Sequence, residues 1–305
     1  MVTIVTPAYN QAIFLSETIE SVLAQTYPCI EYVVIDDGSI DATPDIILKY
    51  ADRLIGYSQI NRGQARTLNE GWAKARGKYL TYLSSDDTLD KNAIARLVEV
   101  LEADEDIVCV FPNSDLIDAS SRVVRHSVCR PFDLAALVVE QECYIGPGAL
   151  FRRSAFETAG GWRPDLKLAP DREFWMRLAR FGRIEFLDDS LAGYRIHPGS
   201  ISYKVVSEEA SLEYVRVLDD YFSGEVPDGI VARRQEAYGR AHFLVARNCY
   251  RAMKFERAGF HYARARALHP PLGSIRSRLL IARTVVSKPV RAALGGVRRL
   301  FARAG

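Results

Sequence analysis

Apolar residues recur along the first hundred-odd positions in two alternating rhythms. Short β-branched runs, "VTIVT" at 2–6, "EYVVID" at 31–36, "LIGYS" at 54–58, "KYLTYLS" at 78–84 and "IVCVF" at 107–111, read as buried strands. Between them lie stretches with helical spacing. "FLSETIESVLAQ" is apolar at Leu15, Ile19, Val22 and Leu23, and "TPDIILKYA" offers Thr43 as a cap and Pro44 at the first helical position. "GQARTLNEGWAKA" and "KNAIARLVEVLEA" complete the set. Strict strand–helix alternation predicts parallel strands covered by helices, with ligands at the carboxyl ends of the strands.

From about Pro112 to Ser202 the rhythm is mixed. "GALFRRSAF" reads as a strand entering a helix. "DREFWMRLARFG" is a helix with Phe174, Leu178 and Phe181 on one stripe, and "LAGYRIH" is a late strand. After about Val205 the pattern is helical throughout. Ala246, Ala258, Tyr262, Ala265 and Pro270 fall at the spacing of one tetratricopeptide repeat, but a single copy favours a helical hairpin packed on the body over a repeat array. Further on, Val290, Leu294, Val297 and Phe301 form one stripe with Arg291, Arg298, Arg299 and Arg303 beside it. A basic amphipathic helix of this kind can lie on an anionic membrane surface; a solvated terminal helix has the same pattern.

Composition narrows the picture. With 305 residues, 48% of them apolar, the chain can bury a sizeable core. A net charge of +2 gives no reason to expect a nucleic-acid partner, although no Asp or Glu follows Glu256. The 5 cysteines are scattered without a metal-ligand spacing, which fits reduced thiols. No basic or long apolar segment precedes "VTIVT", so no secretory signal is expected, and no apolar run approaches the roughly 20 residues of a spanning helix.

Candidate chemistry sits at the predicted strand ends. "VIDDGSIDAT" closes a strand with Asp36 and Asp37, and Gly38 permits a tight turn. This is either a plain strand–turn–helix corner or a carboxylate aimed at a base N–H. "TPAYN" ends the first strand, where Tyr9 is either core or a stacking platform beside Asp37. "YLSSDD" puts Asp86 and Asp87 side by side. They suit a helix start or a hard divalent cation such as Mg²⁺ or Mn²⁺ on a diphosphate. Asp171 and Glu173 open a helix, where carboxylates favour the dipole and one facing a cleft can act as general base. "YRIHPGSIS" carries Arg195 and His197. Gly146 and Gly148 in "CYIGPGALFRR" mark either a bend or a close approach to an acceptor; Trp162 and Trp175 offer faces for a sugar, with core packing the expectation for Trp175.

In order and spacing, "TPAYN", "SVLAQTYPCIEYVVIDDGSIDAT", "NRGQARTLNEG", "GKYLTYLSSDD", "FRRSAFETAGGW", "DREFWMRLARFG" and "YRIHPGSIS" resemble glycosyltransferase family 2, inverting enzymes of the GT-A fold, over about residues 2–202. The resemblance implies an α/β nucleotide-diphospho-sugar transferase fold, a Rossmann-like mixed sheet flanked by helices. It implies a catalytic domain at 1–204, followed by a helical extension at 205–305. It implies that Tyr9 and Asp37 hold the base with the Pro7 backbone, Arg66 lies near base or diphosphate, and Asp86 meets the ribose. Asp87, last of a DxD-like trio whose first Asp is Ser85 here, would bind Mg²⁺ or Mn²⁺ with His197 nearby. Asp171 matches the catalytic base; the acidic residue usual before it is Pro170 in this chain.

The implied reaction moves a sugar from a nucleoside diphosphate, UDP or dTDP favoured, to a saccharide or lipid-linked acceptor in envelope or exopolysaccharide assembly. The implied location is cytoplasmic, with contact to the inner membrane face through the basic tail. Two alternatives stand beside it: a sugar-nucleotide pyrophosphorylase, whose Gly-rich basic loop "TPAYNQA" lacks, and a noncatalytic scaffold with a partner-binding tail.

Overall fold

A computed structural model describes residues 1–200 and 204–281. The chain divides into two compact units: residues 1–134 with 143–203, and residues 135–142 with 204–305.

In the first unit, strands β1 (Val2–Ala8), β2 (Ile30–Asp36), β3 (Ile55–Ser58) and β4 (Tyr79–Tyr82) run parallel. Helices α1 (Leu15–Leu23), α2 (Thr43–Lys49) and α3 (Gln64–Lys74) form the crossovers. Side chains alternate across the sheet, so Ile4 and Val34 join one core with Leu15, Ile19 and Val22 of α1. Val5 and Ile35 face α3, and a Cβ on Gly71 would stand 2.6 Å from Val5 Cγ1 and 3.2 Å from Ile35 Cδ1. Glycine there lets the helix close on the strands. The same core takes Ile94, Leu97 and Leu101 from α4 (Ala93–Ala103), all fully buried. Truncating one such leucine to alanine costs about 2–5 kcal/mol.

The expected parallel alternation stops at β4. Its next neighbour is β8 (Leu150–Arg152), antiparallel to β4 and to β6 (Ile107–Ile117). Strand β9 (Arg183–Arg195) runs parallel to β6, and β5 (Thr88–Leu89) pairs antiparallel with β9. With β7 (Val123–Arg125) on β6, the sheet has nine strands among the described residues, in the order β3-β2-β1-β4-β8-β6-β9-β5. Helices α5 (Arg153–Ala159) and α6 (Pro170–Leu178) bring Phe156, Phe174 and Trp175 against Phe151 and Trp72, with ring centroids 4.9–6.4 Å apart.

Two local expectations need correction. Phe181 lies beyond the end of α6 and is 45% exposed, because the helix stops at Leu178. Thr43 is buried inside the helix and its hydroxyl accepts the Gln11 N–H at 2.9 Å, while Asp41 Oδ1 accepts the Thr43 N–H at 3.0 Å; the N-cap position is Ala42, which has no side-chain cap.

The second unit is helical: α7 (Glu208–Ser211), α8 (Glu213–Ser223), α9 (Asp228–Val231), α10 (Arg234–Arg251) and α11 (Phe255–Leu268). Ala246, Ala258 and Ala265 are fully buried. A Cβ on Gly239 would meet Ala265 O at 3.1 Å, so small residues let α10 and α11 approach closely. The π-helical turn Ala136–Glu140 belongs with these helices, and Arg233 pairs with Glu140 at 3.2 Å. The sequence alone left that segment within the first domain. The stripe at Val290, Leu294, Val297 and Phe301, with its arginines, lies outside the described residues. No helix among the described residues is long and apolar enough to cross a membrane.

Candidate active site

Register brings the strand ends together. Ala8 pairs with Asp36, and Asp36 with Ser58, so three loops leave one sheet edge side by side. The Asp37 N–H donates to Ala8 O at 2.8 Å. Gly38 has φ +78°, and a Cβ on it would stand 2.8 Å from Asn61 N, so the turn needs glycine for both conformation and space. Asp37 is 3% exposed. Its Oδ1 accepts from Gln59 Nε2 and from the Arg62 N–H, each at 2.8 Å, and Oδ2 accepts from the Gly63 N–H at 2.8 Å. This carboxylate therefore shapes the loop leading into α3 as well as ending β2. Pro7 pairs with Ile35 in the sheet, and Tyr9 stands half exposed just past β1. The Asn10 N–H donates to Ser39 Oγ and Asn10 Oδ1 accepts from the Ile40 N–H, both at 2.9 Å, stitching the first two loops. Arg66 is exposed on the first turn of α3, with no side-chain partner among the described residues.

The paired acids occupy the turn after β4, closed by the Asp87 N–H on Ser84 O at 3.0 Å. They point to different neighbours. Asp86 Oδ2 lies 3.0 Å from His197 Nε2. The Gly199 N–H donates to His197 Nδ1 at 3.2 Å, which assigns the ring proton to Nε2 and makes it the donor to Asp86. Asp87 is 3% exposed, and its Oδ1 accepts the Arg195 backbone N–H at 2.8 Å. Burial raises the Asp87 pKa well above the carboxylate range, the Asp86 charge adds to this, and Arg195 opposes it. His197 thus meets Asp86 directly, while Asp87 holds the Arg195 N–H at the start of the "RIH" segment.

Asp171 opens α6. Burial raises its pKa; the Arg172 N–H and the Arg172 charge oppose the rise. Tyr82, at the end of β4, links the acids. Its hydroxyl pKa is driven far up by burial, then by the charges of Asp171 and Asp87. Cys143 senses Asp171 as well, its thiol pushed up to about 12 by burial and then by that carboxylate. Asp87 and Asp171, far apart in sequence, act on the same phenol.

Three expected acceptor-side residues face protein. Trp162 is 3% exposed, with Tyr82 at 5.0 Å and Trp72 at 6.0 Å between ring centroids, so it offers no open face to a sugar. A Cβ on Gly146 would stand 2.8 Å from Ser114 Oγ and 3.0 Å from Cys129 Sγ. Gly148 has φ +83°, and its Cβ would stand 2.9 Å from Leu89 Cδ2. Packing inside the unit, rather than ligand approach, demands glycine at both. Sequence reasoning gave no role to Asn69, Tyr82 or Arg195, and took Cys143 only as the start of the acceptor-facing stretch. Only Arg195 carried a signal, a cation that ends the "LAGYR" run two residues before a histidine.

Among the described residues no group of three or more His, Cys, Asp or Glu is arranged to hold an ion. The donors at hand are Asp86, Asp87 and His197.

The chain matches the sequence profile of Glycosyl transferase family 2 over residues 3–160. An uncharacterized glycosyltransferase of Rickettsia prowazekii is 30% identical over 232 residues, 73% of this chain and 71% of that protein. The putative teichuronic acid biosynthesis glycosyltransferase TuaG of Bacillus subtilis is 26% identical over 66% of this chain and 81% of its own. Other Rickettsia relatives are longer, and the chain spans only 31–36% of three of them. Among solved structures, S. aureus TarS 1–349 in complex with UDP-GlcNAc superposes with TM-score 0.65 at 17% identity, over 88% of this chain and 90% of that one. The mannosyltransferase PcManGT of Pyrobaculum calidifontis, with GDP-Man and Mn²⁺, gives 0.58 at 23% identity over 95% and 82%. At these identities the likeness shows the fold, which is GT-A. The family match carries the rest: this chain belongs to glycosyl transferase family 2.

Proposed function

We propose that the first unit is an inverting transferase that moves a sugar from a nucleoside diphosphate to an acceptor hydroxyl in cell-envelope or exopolysaccharide assembly. The observation that carries this reading is the match to glycosyl transferase family 2 over residues 3–160, with the charges of Asp87 and Asp171 both raising the pKa of the buried Tyr82 hydroxyl. On this reading Asp87 serves the diphosphate and Asp171 the acceptor.

Tyr9 stacks on the base, next to the loops that Asp37 organises, and Arg66 is free to reach the diphosphate. UDP or dTDP is the favoured carrier. TarS is in complex with UDP-GlcNAc and PcManGT with GDP-Man, so proteins of this fold take more than one base. Asp171 takes the proton from the acceptor hydroxyl as that oxygen bonds to the anomeric carbon. The bond to the nucleoside diphosphate breaks on the opposite face, inverting the configuration. The raised pKa of Asp171 makes it a stronger base than a solvated aspartate.

Two carboxylates and an imidazole suit Mn²⁺ or Mg²⁺, and Asp87 Oδ2 has no hydrogen-bond partner among the described residues. Asp87 and His197 would hold the ion. When bound it neutralises charge on the departing diphosphate. Contact with a lipid-linked acceptor at the cytoplasmic membrane face is the corresponding reading for the acceptor and location.

The test is nucleotide release from a panel of UDP-, dTDP- and GDP-sugars, with and without Mn²⁺, on candidate saccharide acceptors. Release that requires Asp171 is expected. Nucleotide release by Asp171→Asn at the wild-type rate removes the assignment.

A further inference from the structure

We infer that Arg195 is the positioning residue of this site, a buried cation that fixes the Asp86–Asp87 turn and His197 before nucleotide or metal arrives. The inference rests on the transferase reading above and concerns a residue which that reading leaves without a role. The Arg195 side chain is 0% exposed. Its backbone N–H donates to Asp87 Oδ1 at 2.8 Å, and its Nε donates to the Asp86 carbonyl at 2.6 Å. One residue therefore grips both members of the acid pair, one through a side-chain oxygen and the other through the main chain.

The rest of the guanidinium is anchored away from the acids. Nη1 donates to Asp118 O at 3.1 Å and Ser121 Oγ at 2.9 Å, and Nη2 to Glu17 Oε2 at 2.8 Å. Ser121 Oγ in turn donates to Glu17 Oε1 at 2.6 Å. The guanidinium carbon lies 4.9 Å from the Phe14 ring centre, and that ring is 4.6 Å from His197. One cation thus braces α1, the acid turn, the loop after β6 and the histidine.

A buried ion pair is weak evidence for stability, since an apolar side chain of similar volume often serves as well or better. An apolar residue here would leave Asp86 and Asp87 adjacent without the positive charge that opposes their mutual repulsion. The planar fork matters as much as the charge, because lysine cannot reach three directions at once.

The test is titration of UDP and of GDP, with and without Mn²⁺, into wild type, Arg195→Lys and Glu17→Gln, with Mn²⁺ occupancy followed by its paramagnetic resonance signal. Arg195→Lys is expected to lose about 10- to 100-fold in the Mn²⁺-dependent gain in affinity, the range for partners that orient metal ligands. Metal-free nucleotide binding should fall by less than the Mn²⁺-dependent gain does, since Asp37 and the loops it organises do not touch Arg195. Glu17→Gln, at a side chain 46% exposed, should lose about threefold, and it decides the matter if Arg195→Lys does not fold. Undiminished Mn²⁺ gain in the folded variants, or no Mn²⁺ gain in wild type, overturns the inference while nucleotide binding keeps the transferase reading. Wild type binding neither UDP nor GDP takes both down.

Discussion

Asn69 and Trp162 close a two-point clasp: Asn69 Nδ2 donates to Trp162 O at 2.7 Å, and the Trp162 N–H donates to Asn69 Oδ1 at 2.8 Å. A Cβ on the neighbouring Gly161 would stand 2.3 Å from Asn69 Oδ1, so the clasp leaves no space for another residue there. It ties α3 to the segment leading towards Asp171. Asn69→Ala leaves both Trp162 backbone groups unpaired, at about 1–3 kcal/mol for a buried donor or acceptor left unmet. Thermal unfolding should show a fall in Tm of several degrees. Unchanged Tm would mean that water replaces the clasp at no cost.

Asp171→Asn keeps the volume and removes the base. Turnover should fall about 10²- to 10⁴-fold, with nucleotide affinity close to wild type. Because burial raises the Asp171 pKa and the ionised form is the base, activity should rise with pH through a value above the ordinary carboxylate range. A pH–kcat/KM profile whose acid limb sits at the solvated aspartate position would contradict this.

Asp37→Ala removes three hydrogen bonds, from Gln59, Arg62 and Gly63, at once. Loss of nucleotide binding by at least about tenfold is expected, with Asp37→Asn intermediate because one oxygen remains as acceptor. Calorimetric titration of UDP distinguishes them, and equal affinity in all three proteins would show that the base is held elsewhere.

The helical unit should be acid-sensitive. His242 and His261 face each other, Nδ1 to Nδ1, at 3.1 Å, and His261 Nε2 meets Glu208 Oε1 at 3.0 Å. Glu208 therefore accepts a hydrogen bond from His261 Nε2–H, and His242 Nδ1–H donates to the bare His261 Nδ1. Burial, with the charges of His261 and Arg264, lowers the His242 pKa to about 4. The unfolded chain binds this proton near the ordinary histidine value, so stability is full above about pH 6.5 and is lost as pH falls towards 4. The loss is on the order of 2–3 kcal/mol, less whatever solvent screening remains. Arg257 and His261 hold the Glu208 pKa down to about 2, so its stabilisation is lost only at still lower pH. Urea unfolding at pH 7 and 4.5 should show the difference, and His242→Gln should reduce it.

Much of the first unit is legible in residue pattern. The 3.6-residue spacing of Leu15, Ile19 and Val22 and the β-branched runs at 2–6 and 31–36 specify which faces are buried, and burial of apolar area sets α1, β1 and β2. The acids at strand ends are legible for the same reason, since a strand that must stay dry ends where charge begins. Partners are not. Nothing in "SSDD" says that Asp86 meets His197 while Asp87 meets the Arg195 N–H, because those contacts span 111 and 108 positions. Trp162, Gly146 and Gly148 looked open to a ligand because composition cannot tell a glycine needed by a neighbour's methyl from one needed by a sugar. The sequence alone determined the alternating elements, their inner faces and the family. Only the tertiary structure decided which carboxylates share a field and which cation restrains them, because hydrogen bonds and Coulomb forces act over a few ångströms of space regardless of distance along the chain.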